Sequence, residues 1–186
     1  MKFFIRKNFK IIFLIFFLSL TLFVNIIAQG NSEIRKLDIS VGSGFSFNKI
    51  MSKQFILFFN IPKLKGNIGD LNFEEDFFNE SISVNNNLTD VIGPATLLKY
   101  NVNVLNRELF FEAGIGLNYI NNTVVATRNL GGHFIFSDMI SIGLPVVVTK
   151  NFSIGINYLL RHISNAGLYK YNDGFTSQYI VLKINI

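Results

Sequence analysis

Two side chains near the C-terminal end have the types and spacing for acyl-transfer chemistry, His162 and Ser164. Residues two apart on an extended chain share a face and lie on the order of 7 Å apart, from a rise of ~3.3–3.4 Å per residue. At that separation an imidazole reaches the hydroxyl with modest side-chain adjustment, the first geometric requirement of an activated serine nucleophile. A blander reading of the same pair is a strand end, where short polar residues are common. The remaining inventory narrows the field. The chain has no cysteine, which excludes disulfides, thiolate metal sites and a cysteine nucleophile. Only one other histidine exists, His133. No metal and no cofactor are therefore expected. No glycine-rich loop follows a strand and opens a helix, so nucleotide chemistry has no support.

The element that positions the pair is legible from its periodicity. Phe152, Ile154, Ile156, Tyr158 and Leu160 alternate with Ser153, Gly155, Asn157 and Arg161. Stepping onward by two places His162 and then Ser164 on the apolar face. The same period of two runs through Leu37–Phe47, Leu109–Tyr119 and Ile180–Ile186, with noisier strands near Phe55–Ile61, Leu97–Val104 and Phe134–Val148. The stretch Gly66–Asn87 is acidic and predicts one weak strand plus a loop. Asn85-Asn86-Asn87 and Asn121-Asn122 supply turns. The faces opposite the apolar ones are Gly, Ser and Asn with an occasional Glu, Arg or Lys, which suits the crowded polar interior of a narrow membrane barrel. The competing architecture is a soluble periplasmic sandwich, with the apolar faces turned inward. Strands of ~9–11 residues are needed to cross a bilayer. The length then fits an all-β fold, an eight-stranded antiparallel outer-membrane β-barrel. Tyr100, Tyr119, Tyr158 and Tyr179 are candidates for an aromatic girdle.

Export is written at the N-terminus. A basic stretch, Lys2 to Lys10, precedes the apolar run from Ile11 to Val24 and the small residue Ala28. This predicts a signal peptide over residues 1–28 and a barrel domain over 29–186. The formal charge of +5 has the same origin: Lys2, Arg6, Lys7 and Lys10 are four of 17 basic residues, leaving 13 against 12 acidic ones. Nucleic acid is therefore not an expected partner. Of the other polar residues, Asp138 shares parity with Phe134, Phe136, Ile140 and Ile142, where a turn, a bulge or the membrane rim is expected rather than catalysis. Glu112 and Arg161 have the opposite parity and are expected to pair across the lumen.

The segment Arg161-His162-Ile163-Ser164-Asn165-Ala166-Gly167-Leu168 closely resembles the signature of the lipid A 3-O-deacylase family, PagL-type acyloxyacyl hydrolases. Ile92-Gly93-Pro94, Phe110–Gly116 and Leu130–Phe136 follow the order the family shows, so the resemblance covers Ile92 to Ile186. It implies a membrane-embedded barrel in the cell outer membrane, acting on lipopolysaccharide as a serine hydrolase. The bond cleaved is the ester of the 3-hydroxyacyl chain at position 3 of lipid A. Ser164 then matches the nucleophile and His162 the general base. Asn165 matches the residue proposed to stabilise the oxyanion, with donors extending to Gly167. The resemblance leaves room for a homodimer. The family also carries an acid, usually glutamate, about a dozen residues after the serine, and here that spacing falls on Thr176. Asp173 is the only acid after the motif and the substitute expected to orient His162; Thr176 is the neutral alternative. The missing glutamate and the acidic Gly66–Asn87 segment support the rival reading, a non-enzymatic small outer-membrane barrel with a structural or interaction role.

Overall fold

The computed structural model describes residues 38–46, 52–60, 66–68, 71–104 and 107–186. The expected signal peptide lies outside them. Every regular element described is a strand: β1 (Asp38–Ser46), β2 (Lys53–Asn60), β3 (Gly66–Ile68), β4 (Leu71–Val84), β5 (Asn87–Val104), β6 (Arg107–Ile120), β7 (Val124–Val125), β8 (Arg128–Asn129), β9 (Phe134–Val148), β10 (Ser153–Ser164) and β11 (Phe175–Asn185). The sheet order is β2-β1-β11-β10-β9-β6-β5-β4, and β4 pairs back onto β2. That pairing closes an antiparallel barrel of eight staves. Strand β3 lies along the edge of β4 that β2 also uses, and so extends the same stave. β7 and β8 form a separate small hairpin between β6 and β9.

The orientation of the faces separates a membrane barrel from a dry-cored sandwich. Ile140 and Ile180, on the apolar parity, are 57% and 60% exposed, whereas Glu80 on the opposite parity is 1% exposed. The apolar face is the outside, as a lipid-facing wall requires.

Charge pairing fills the inside. Lys183 Nζ donates to Glu74 Oε2 at 3.1 Å and to Glu112 Oε1 at 2.9 Å. Arg161 pairs with Glu80, gives Asn118 Oδ1 a hydrogen bond at 3.1 Å, and covers the Phe78 ring. Glu112 and Arg161 thus both face the lumen, as their parity requires, but each takes a different partner from the one expected. Tyr179, an expected girdle residue, is instead buried in the lumen with its hydroxyl on Glu80. Tyr100, Tyr119 and Tyr158 do face outward.

These lumen pairs explain β4. Glu74, Asp76 and Glu80 make the segment look like an acidic loop, yet they occupy alternate inward positions of a 14-residue strand. The expected weak strand plus loop is therefore a full stave. Inner-face glycines make room for the large lumen side chains: a Cβ on Gly143 would sit 2.4 Å from Phe110 Cζ.

The two ends of the barrel differ. The 149–152 turn lies at one end of the barrel; at the other lie the 121–133 connection with its β7–β8 hairpin and the 165–174 loop. The longer loops, at the end that also carries the two-residue Asn85-Asn86 turn, correspond to the extracellular loops of outer-membrane barrels. The Asn85-Asn86 turn between β4 and β5 has both residues at positive φ, 48° and 66°, the two-residue hairpin geometry that asparagine tolerates. Strand β10 ends on the long-loop side, so its last residues lie at that rim.

Candidate active site

Strand β10 keeps its register with β9 from Gly155 onward, the one shift falling between Ile154 and Gly155. The alternation therefore reaches His162 and Ser164 unbroken. Both side chains are half-buried on the outer wall, between the inward, buried Arg161, Ile163 and Asn165. No direct hydrogen bond joins their side chains.

What holds the imidazole comes from β11 and the loop before it. His162 is in register with Thr176, and its Nδ1 lies 2.8 Å from Thr176 Oγ1. If Nδ1 carries the proton and the threonine oxygen accepts it, Nε2 presents a lone pair. Gly174 closes the other side: its φ is +63°, and a Cβ there would lie 2.7 Å from Cε1 and 3.1 Å from Nε2 of His162. Only a residue without a side chain lets the backbone press this close to the ring.

Asp173 sits elsewhere. Its Oδ2 accepts from Asn129 N at 2.7 Å and its own N donates to Asn129 O at 3.1 Å. The carboxylate clamps the 165–174 loop to β8, and Thr176 takes the place at Nδ1. The expected orienting acid is thus replaced by the neutral alternative.

The turn after the serine is built by Asn165. Its side chain is fully buried, with Nδ2 donating to Leu130 O at 2.5 Å and to Tyr171 O. Its Oδ1 accepts from Gly167 N at 2.8 Å, and its own N donates to Asn172 Oδ1 at 2.9 Å. These bonds fold Ala166 and Gly167 into successive left-handed conformations, φ 49° and 74°. Gly167 adopts that conformation freely; Ala166 does so against its preference. The result aims Ala166 N at Ser164 Oγ, 3.4 Å away. The donors expected for an oxyanion, on Asn165 and Gly167, are thus bonded within the turn, and the amide nearest the serine is that of Ala166.

Sequence reasoning missed Ala166, because a positive φ at alanine has no sequence signal. It also did not read the strand register that sets Asp138 opposite His162. Asp138, on β9, is in register with His162 and exposed on the outer wall. His133 is at the rim, stacked on Tyr119 with ring centroids 5.6 Å apart, and its Nδ1 is 2.7 Å from Ile120 O. It shares no contact with His162. Among the described residues no group of His, Asp and Glu has the arrangement of a metal site.

A family model described as lipid A 3-O-deacylase (PagL) matches residues 58–185, beginning well upstream of the Ile92 start read from the sequence. The lipid A deacylase PagL of Pseudomonas aeruginosa is 40% identical over 77 residues, 41% of this chain and 42% of that protein. The Bordetella bronchiseptica protein of the same name is 38% identical over 65 residues, 35% of this chain and 34% of that protein. The chain thus aligns with less than half the length of these curated relatives. The crystal structure of the outer membrane enzyme PagL superposes with a TM-score of 0.65 at 26% identity, over 80% of this chain and 99% of that one. Fold and relatives together assign the chain to the cell outer membrane. It belongs to the lipid A 3-O-deacylase (PagL) family.

Proposed function

We propose that the protein is a serine esterase that removes the ester-linked 3-hydroxyacyl chain from position 3 of lipid A. The observation that carries the reading is the outward, lipid-side placement of both His162 and Ser164 on β10. An ester buried among acyl chains meets only an outward-facing nucleophile. Polar side chains on a lipid-facing wall otherwise carry a cost.

Ser164 Oγ attacks the ester carbonyl carbon while His162 Nε2 takes its proton. The charge that develops on the carbonyl oxygen is met by the Ala166 amide, which points at Ser164 Oγ from 3.4 Å while Asn165 and Gly167 hold the turn in shape. Collapse of the intermediate breaks the bond to the sugar oxygen, which leaves with the proton from His162. Water, activated by the same imidazole, then hydrolyses the acyl-serine. Thr176 and Gly174 keep the ring in place throughout. An apolar groove on the outer wall, with a volume of about 650 Å³, starts one step below His162 at Leu160 and Ile140 and continues past Ala113 and Leu98. Its chemistry suits a hydrocarbon chain extending from the reacting ester.

The test is mass spectrometry of lipid A from bacteria expressing the protein beside its Ser164→Ala variant, with equal amounts of both in the outer membrane. Loss of one 3-hydroxyacyl mass with the parent alone supports the deacylase. Unchanged lipid A with a well-folded parent supports the rival reading, a non-enzymatic barrel, which the neutral residue at position 176 favours.

A further inference from the structure

The serine–histidine pair of this chain stands beside a hydroxyl where its family resemblance leads one to expect a carboxylate. When Ser164 gives up its proton, His162 becomes positively charged, and a threonine orients the ring without offsetting that charge. The register across the wall shows where a charge is available. His162 is paired with Thr176 on β11 and with Asp138 on β9. Side chains directly opposite on one face of an antiparallel pair have Cβ atoms about 4.5–5.5 Å apart. Asp138 is exposed on the outer wall, and among the described residues it has no hydrogen bond and no ion pair. At the rim, where β10 ends, a carboxylate carries little cost, so it is the register opposite His162 that marks Asp138. We propose that Asp138 is a positioning residue for the deacylation chemistry, supplying from the neighbouring strand the negative charge that Thr176 lacks and steadying the protonated form of His162.

The surroundings leave no rival for that role. On β11 the outward neighbours are Thr176 and Gln178, both neutral. On β10 itself the outward neighbours are Leu160 and Ser164, while Arg161 points into the lumen onto Glu80. In the loop, Asp173 is held by Asn129, and Lys170 lies over the Tyr171 ring. Interactions between a carboxylate and an imidazolium strengthen where water is displaced, as at a wall covered by acyl chains.

The inference rests on the esterase reading, and the experiment separates the two. The purified protein in detergent is compared with Asp138→Asn, Asp138→Glu and Ser164→Ala. One readout is release of 3-hydroxy fatty acid from lipid A. The other is the rate at which a fluorophosphonate labels Ser164, which needs an activated serine but no particular lipid. Folding is followed by the heat-dependent gel mobility of the barrel. Asp138→Asn is expected to lower kcat and the labelling rate by about tenfold or more with KM nearly unchanged, and Asp138→Glu to restore most of both. Parental kcat and labelling in Asp138→Asn overturn the proposal, as does a change confined to KM, which would make Asp138 a substrate contact. A parent that labels but leaves lipid A intact refutes the deacylase, while the labelling rates still decide on Asp138. A parent that does not label has no activated serine, and the proposal falls with it. Asp138→Ser removes the charge in a second way if the asparagine variant does not fold.

Discussion

Thr176 Oγ1 sits 2.8 Å from His162 Nδ1, so a neutral hydroxyl fixes the ring where the family resemblance leads one to expect an acid. Orientation and charge are separable duties of a triad acid, and only the first is met by threonine. Asp173, the acid nearest in sequence, has its carboxylate on the Asn129 amide. Asparagine at 173 retains an oxygen for that amide, so Asp173→Asn is expected to keep activity within about threefold of the parent. Thr176→Val removes the Nδ1 partner and is expected to lower kcat roughly ten- to a hundredfold. Initial rates of fatty-acid release from lipid A compare the two, and a loss in Asp173→Asn as deep as in Thr176→Val would return the orienting role to Asp173. The serine and histidine were legible because strand parity is local. Thr176 stood out only as an alternative to Asp173, since spacing does not say which side chain turns toward the ring. Asp138 was visible as a charge on the wrong parity, but its pairing with His162 depends on the register of two strands, which no local pattern encodes.

At the scale of elements, β4 and β10 depend on each other. Glu80 of β4 meets Arg161 of β10 and the hydroxyl of Tyr179 on β11, and all three side chains are nearly inaccessible to solvent. Arg161 immediately precedes His162, so this lumen pair anchors the strand whose outer face carries the site. Removing one member leaves the other charged, buried and unmatched, which costs more than replacing both. Glu80→Ala is therefore expected to destabilise the barrel by about 3–5 kcal/mol in denaturant unfolding from detergent, and Glu80→Leu with Arg161→Met to recover much of the loss. If the single and double variants are equally destabilised, the pair itself and not the unmatched charge holds β10. The same lumen chemistry explains why β4 was hard to read. An acidic stretch resembles a solvated loop unless the cations that neutralise it are known to stand opposite, and Lys183 is 109 residues from its Glu74 partner. Where small, uncharged residues such as Ser40, Gly42, Gly44 and Ser46 fill the inward face, as along β1, alternation alone marked the strand.

The described strands form a closed wall around a filled interior. The lumen space beside Lys183 and Glu112 amounts to about 20 Å³, room for roughly one water. No route for a lipid leads through such a core, and the proposed His162–Ser164 pair is on the outside. The barrel class was legible at this scale because period two combined with small polar opposite faces has few solutions, and the exposure of Ile140 and Ile180 against the burial of Glu80 selects the lipid-facing one. The proposed esterase reading has a consequence for access: an ester reaching an outer-wall Ser164 would approach within the plane of the membrane, with its acyl chains beside Leu160 and Ile140. Protein reconstituted in one population of vesicles, with lipid A supplied in another, is therefore expected to release 3-hydroxy fatty acid only as fast as lipid A passes between vesicles. Fusing the two populations is expected to raise the rate to that of co-reconstituted samples. Equal rates before and after fusion, with lipid exchange shown to be slow, would mean that substrate reaches Ser164 from the aqueous side, and the outer-wall groove would then have no part in binding the chain.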